Sequence, residues 1–270
     1  MKYIKRFENS LESIITTINY SNSRFYKLPK LPKTLISLDC VGNNLISLPK
    51  LPDGLENLYC SGNDLTSLPN LPDSLKKLTC NFNSITKLPK FPITLIELHF
   101  AGNGIIKFPD LPEGLEHLDC SSNKISHITK LPNSLKKLYC YKNNLTELPI
   151  LPYTLEYLYC NHNNLEKLPK LPGTLKELSC ENNNLEKLPK LPGALEYLIC
   201  SNNELTSLPE LPDGIQLLDC RNNNLIELPD LPDSLKKLTC DGNNLPYDDL
   251  DGYKYFKKYP EKYAAKKFNL

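Results

Sequence analysis

The stretch LPKLPDGLENLYCSGNDLTS, residues 48–67, decides how this chain folds. Its apolar residues are Leu48, Leu51, Leu55, Leu58, Cys60 and Leu65, and it carries two prolines and Asn63. Twenty residues on, the same types return at the same places, and twenty residues back they do so again. From Leu28 to Tyr247 eleven such units follow one another with no insertion. Leu holds every position from Leu38 to Leu238, Asn every position from Asn43 to Asn243, and Pro every position from Pro32 to Pro232, always in steps of twenty. A fixed period of this size is the mark of a stacked-repeat architecture.

The chemistry of one unit predicts its conformation. Leu38 and Cys40 alternate with Ser37, Asp39 and Val41, the two-residue period of a short strand with one buried face. One strand per twenty residues has no partner inside its own unit, so it pairs with the next unit. The result is a parallel sheet with strands about 4.7–4.9 Å apart, an open and shallowly curved solenoid. Pro29 and Pro32 lack the N–H that a helix needs, so the return path is expected to be extended and polyproline-like. The six apolar columns point inward, where each buried leucine contributes roughly 1.5–3 kcal/mol. An Asn just after the strand can both donate to and accept from backbone groups in the bend, which predicts a ladder joining each loop to its neighbour.

The segment L-x-x-L-x-C-x-x-N-x-L, which reads Leu35, Leu38, Cys40, Asn43 and Leu45 in the first full unit, resembles the hallmark of the leucine-rich repeat family, with Cys in place of the third leucine. The L-P-x-L-P remainder looks like the short, twenty-residue bacterial type of the Yersinia and Shigella effector proteins. Similar repeats occur in proteins of giant amoebal viruses, and the richness in Asn, Lys, Ile and Tyr suits that kinship. The resemblance implies a leucine-rich repeat solenoid with parallel strands on a concave side, an extended convex side and a concave face that binds proteins. Bacterial effectors of this type often carry a separate ubiquitin-ligase domain. The chain ends 23 residues after its last repeat, so that activity is not expected here.

Open solenoid ends expose strand edges and need covers. Residues 1–27 are expected to be an N-terminal helical cap: Leu11, Ile14, Ile15 and Ile18 fall on one helix face, and Ser10 can cap it. Residues 28–247 are the repeats, and 248–270 a C-terminal cap or tail. In the last segment Tyr253, Phe256, Tyr259 and the stretch from Tyr263 to Phe268 are aromatic, and Pro260 divides two helical turns. Its lysines read as the solvated face of a capping helix, the alternative being a basic tail for an acidic surface or nucleic acid. Units four to six depart from the pattern at Phe91, Phe100, Phe108 and Ile128-Thr129. Large residues repacking together account for this, the alternative being a hinge or contact site.

Composition narrows the function. Lys plus Arg is 32 against 31 for Asp plus Glu, which gives no support for nucleic acid or a membrane surface as partner. No apolar run reaches the length of a membrane span, and the opening MKYIKRFENSLESII lacks the apolar core of a signal peptide. The expected setting is intracellular and cytoplasmic, within a host cell if the effector resemblance holds, and the expected state is a monomer. All ten cysteines share one inward column. Parallel, buried thiols suit neither a tetrahedral metal site nor disulfides, so they are expected to be reduced packing residues. His99 and His117 should project outward and His162 lie in a bend, apart from the Cys column. No nucleophile, metal, phosphate or dinucleotide motif is present. No enzyme activity, cofactor or metal is expected.

What remains is the outward face of the strands. Units six to nine present Tyr139, Tyr141, Tyr157, Tyr159, His162 and Tyr197, with Lys142 beside them, and earlier units present Tyr59, Phe82, His99 and His117. Tyrosine supplies rigid contact area with a polar tip. These residues are expected to bind a protein partner, the alternative being aromatics that cover one another on a solvent-facing sheet. The function expected is a non-enzymatic interaction scaffold. The alternatives are a substrate-recruiting subunit for a host ubiquitin ligase, with the N-terminal helix 8–20 as its adaptor contact, and a passive member of an expanded repeat family.

Overall fold

The structure is a computed structural model that describes residues 15–261. The chain forms two compact units divided after Tyr139, and both are parallel β-solenoids built from one twenty-residue coil.

The first unit contains seven three-residue strands: β1 (Thr17–Asn19), β2 (Ser37–Asp39), β3 (Asn57–Tyr59), β4 (Lys77–Thr79), β5 (Glu97–His99), β6 (His117–Asp119) and β7 (Lys137–Tyr139). Each pairs in parallel with the next at a shift of twenty residues, so that Ile18, Leu38, Leu58 and Leu78 lie side by side. The second unit contains β8 (Tyr157–Tyr159), β9 (Glu177–Ser179), β10 (Tyr197–Ile199), β11 (Leu217–Asp219) and β12 (Lys237–Thr239), paired the same way. The central leucine of β2 to β12 is buried and its two neighbours face outward, as the two-residue period requires. Leu55, Leu58, Cys60 and Leu65 are wholly buried, and Leu48 and Leu51 nearly so. The L-P-x-L-P return segments contain no helix. One tight turn per coil closes on a bond such as Leu55 N–H to Pro52 O, 3.1 Å.

The asparagine ladder has the form that the sequence suggests. Asn63 donates through Nδ2 to Cys60 O of its own coil (3.1 Å) and to Cys40 O of the preceding coil (2.9 Å). Its Oδ1 accepts from Leu45 N–H, again in the preceding coil (3.0 Å). One side chain thus satisfies backbone groups of two coils that the bend leaves without strand partners. A second ladder was not anticipated. Ser74 Oγ lies 2.9 Å from Asp53 O and 2.7 Å from Leu55 O of the preceding coil, and Thr94, Ser134 and Thr174 repeat the arrangement.

A backbone feature recurs at the residue before each ladder asparagine. Gly42, Gly62, Phe82, Gly102, Ser122, Lys142, His162, Asn182, Asn202, Asn222 and Gly242 all have φ between 51° and 72°. This left-handed conformation suits Gly and Asn and strains the others. Phe82 is followed one coil later by Gly102, where an added Cβ would meet the phenyl Cδ1 at 2.5 Å.

The ends differ from the sequence expectation in one place. Thr17–Asn19, assigned to the helix 8–20 by the spacing of Ile14, Ile15 and Ile18, form β1. Ile18 is in phase with Leu38, Tyr20 with Cys40 and Phe25 with Leu45, and Phe25 N–H donates to Asn43 Oδ1 (2.9 Å) as a repeat residue would. The Ile-Thr-Thr-Ile run is β-branched, and an edge strand to pair with outweighs its helical spacing. The rest of that helix, including Ser10 and Leu11, lies outside the described residues. At the other end Cys240 N–H donates to Asp248 O (2.9 Å), which stands where the next strand would be. Helix α1 (Leu250–Lys258) follows, capped by Asp249, whose Oδ1 accepts from Gly252 N–H at 2.7 Å. Tyr247 packs edge-on against Tyr253, ring centroids 5.2 Å apart, and against Phe256. The helix ends before Pro260, and the aromatics from Tyr263 to Phe268 lie outside the described residues.

Phe91, Phe100, Phe108 and Ile128 are all buried, so the irregular coils fill their cores with larger side chains. A surface groove of about 550 Å³ lies on the return side there, lined by Asn70, Leu71, Phe91 and Ile93 among others.

Candidate functional site

The outward positions of each strand sit beside a wholly buried leucine and are free of core packing, so their chemistry sets what the face can contact. In the first unit ion pairs one coil apart engage some of them and the residues just before the strands. Lys76 meets Glu56 at 2.9 Å, Lys136 meets Glu116 at 2.9 Å, and Lys77 meets Glu97 at 2.9 Å. The Glu97 bond raises the pKa of Lys77. His117 Nδ1 lies 3.8 Å from the same carboxylate, yet burial and the Lys137 charge together lower its pKa and favour neutral imidazole. Tyr59, His99 and His117 are half-buried on this face, and Phe82 is 67% exposed.

The seven residues proposed from sequence divide between the units. Tyr139 ends β7 in the first unit. Tyr141, Lys142, Tyr157, Tyr159, His162 and Tyr197 belong to the second. Tyr157 and Tyr159 flank Leu158 in β8 and Tyr197 opens β10. Register brings Tyr157 and Tyr197 onto either side of Glu177 in one outward column. The Tyr159 hydroxyl donates to the Glu177 carboxylate. Lys142 and His162 are exposed at the left-handed position of consecutive coils, and His162 Nε2 lies 3.5 Å from Asn182 Nδ2.

Sequence reasoning passed over Glu177, Ser179 and Glu181. Counting twenty residues from Tyr157 and back from Tyr197 meets at Glu177, which was the available signal. Ser179 is 6% exposed, the one buried outward strand position. Its small side chain stands between Tyr159 and Ile199, its register partners. Glu181 Oε1 and Oε2 accept from Asn161 Nδ2 (3.5 Å) and Ser201 Oγ (3.3 Å).

The cysteine column takes the packing role. Every described thiol is free and buried. Burial pushes the Cys40, Cys80 and Cys160 thiols up to about 12, and Cys60, Cys180 and Cys200 upward as well. A thiol held protonated is a poor nucleophile and a poor metal ligand. Among the described residues no group of three or more His, Cys, Asp or Glu is placed to hold a metal ion. No described helix is long and apolar enough to cross a membrane.

A leucine-rich repeat family model matches residues 114–138. The solved structure of YopM, a leucine-rich effector protein from Yersinia pestis, is similar over 90% of this chain and 82% of that one, with 31% identity and a TM-score of 0.72. The chain belongs to the leucine-rich repeat family. YopM from Yersinia enterocolitica WA-314 is 35% identical with a TM-score of 0.83. That likeness covers 90% of this leucine-rich repeat chain but 59% of YopM, so the chain spans only part of that protein's length. A leucine-rich repeat protein of Leptospira interrogans is 26% identical, with a TM-score of 0.65, over 86% of this chain and 68% of that one. No curated protein matches by sequence. The repeats are thus of the bacterial-effector type, in which a run of short coils displays a row of variable strand residues.

Proposed function

We propose that this leucine-rich repeat chain is a non-enzymatic scaffold that binds a partner protein through the outward face of its strands. The observation that carries this reading is the contrast along each strand. The central leucine is buried and unvarying, while its outward neighbours change from coil to coil and include Tyr139, Tyr157, Tyr159 and Tyr197. Tyr139 is the contact offered by the first unit, and in the second unit Tyr141, Lys142 and His162 join Tyr157, Tyr159 and Tyr197. Aromatic residues grouped on a surface are favoured contact anchors. The likeness to a protein described as an effector supports a setting inside a host cell; the chain is proposed to act as a monomer. Kinship to giant-virus repeats rests on the Asn-, Lys-, Ile- and Tyr-rich composition alone.

The test is affinity capture with the tagged chain from a eukaryotic cell lysate, run beside Tyr139→Ala combined with Tyr159→Ala. A protein retained by wild type and lost by the variant, with the unfolding midpoint unchanged, supports the strand face as the binding surface. Equal recovery by both refutes it.

A further inference from the structure

Charge is distributed unevenly over the strand face. Glu97 in β5 and three glutamates just before strands have cations one coil away: Glu97 has Lys77, Glu56 has Lys76, Glu116 has Lys136, and Glu156 has Lys176 at 2.7 Å. Like Glu196, which accepts from Gln216 Nε2 at 3.0 Å, Glu177 and Glu181 do not follow this pattern. Among the described residues neither has an ion-pair partner; Glu177 is held by the Tyr159 hydroxyl, and Glu181 by Asn161 and Ser201. Arg221, on β11's coil, makes its hydrogen bonds to the Asp219 carboxylate, with Nε and Nη2 at 2.9 and 2.7 Å, and acts on Glu181 only through its charge. Both glutamates are half-buried, so their charge is less screened than on an open surface.

The surroundings are aromatic. Tyr157 and Tyr197 stand on the strands either side of Glu177, at about twice the 4.8 Å strand spacing. Glu177 itself occupies the place between them, so a cation that pairs with its carboxylate comes to lie beside aromatic rings, which attract cations through their quadrupoles.

We propose that the β8–β10 face is a recognition site for an arginine or lysine side chain of the partner protein, with Glu177 and Glu181 as counter-charge and Tyr157, Tyr159 and Tyr197 as walls. The proposal rests on the strand face being the binding surface and adds the chemistry of what it binds. Guanidinium fits better than ammonium, because it can pair with a carboxylate through two parallel bonds while stacking on a ring.

The test is calorimetric titration of the full chain with an end-blocked tri-arginine peptide and with its tri-citrulline counterpart, which keeps the shape and loses the charge. Tri-arginine should bind and tri-citrulline should not. Glu177→Gln combined with Glu181→Gln keeps the hydrogen-bonding shape and should weaken tri-arginine binding about tenfold. Tyr197→Ala should weaken it about threefold. Glu56→Gln combined with Glu116→Gln, in the first unit, should leave it unchanged. Equal binding of the two peptides, no heat with tri-arginine at millimolar concentration, unaltered binding by the Glu177/Glu181 variant, or an equal loss in the first-unit control would each overturn the cation site. Loss of a captured protein by the Tyr139/Tyr159 variant alongside a failed tri-arginine titration overturns this inference and leaves the scaffold reading standing. Tri-arginine binding with capture indifferent to those tyrosines overturns the strand-face reading and, with it, the assignment of this cation site to partner recognition.

Discussion

Replacing Asn163 by alanine removes one rung of the asparagine ladder and leaves its neighbours in place. The side chain is 8% exposed. It donates to Cys140 O and Cys160 O, both at 3.0 Å, and accepts from Leu145 N–H at 3.0 Å. Each such bond contributes about 1 kcal/mol net, and a buried N–H left without an acceptor costs about 1–3 kcal/mol. Water entering the vacated space recovers part of this, so the expected loss is about 2–3 kcal/mol. Urea unfolding followed by circular dichroism reads it as a lower midpoint. Exposed Asn164 is the control: its alanine variant should stay within about 0.5 kcal/mol of wild type. Asn163→Asp sharpens the test. The amide NH2 becomes an oxygen facing two carbonyl oxygens, so at neutral pH this variant should be less stable than Asn163→Ala. Burial and those carbonyls raise the introduced carboxyl's folded pKa above its unfolded value of about 3.9. Between the two values the folded state holds more protons, so the deficit should shrink as pH falls. A midpoint for Asn163→Ala equal to that of Asn164→Ala would refute the ladder as a source of stability.

His162 has φ 54°, so His162→Gly should raise stability by about 1 kcal/mol in thermal or urea unfolding. Gly102→Ala should destabilise because its Cβ meets the Phe82 ring, and the loss should be smaller when Phe82 is alanine as well, a non-additivity read by a double-mutant cycle. Ala194 occupies the Ser/Thr ladder position, and Ala194→Thr places a hydroxyl to reach Gly173 O and Leu175 O as Thr174 reaches Tyr153 O and Leu155 O; the expected gain in urea unfolding is about 1 kcal/mol. The Cys160 thiol is raised from 9.0 to about 12 in the folded state, so its stabilising contribution is complete below pH 9.0 and is lost as pH rises towards about 12. Stability measured across that window should fall, and native-state alkylation at neutral pH should leave the buried cysteines unmodified.

The repeat was legible because a coil of a solenoid meets only copies of itself. Leu58 is buried by Leu38 and Leu78, so one period contains nearly all the information about the core, and the Cys and Asn columns read correctly for the same reason. The ends break that equivalence. Ile18 satisfies a helical period and a strand phase at once, and the open edge of β2 decides between them. The Ser/Thr ladder was missed because Gly54, Gly114, Ala194 and Gly214 interrupt it, leaving no unbroken column to see.

The repeat length, the inward columns and the parallel pairing can be read from the order of residues alone, since burial in each coil follows from residues twenty apart. The same order marks the variable tyrosines as outward. Which outward groups neutralise one another is set by the stacking of the coils. Lys76 reaches Glu56, whereas Glu177 and Glu181 find hydroxyl and amide partners. Those pairings depend on side-chain reach across the sheet, on hydrogen bonds from Tyr159 and Asn161, and on the small Ser179 between larger neighbours. None of these is a property of one coil, which is why the face acquires its chemistry only when the coils are stacked.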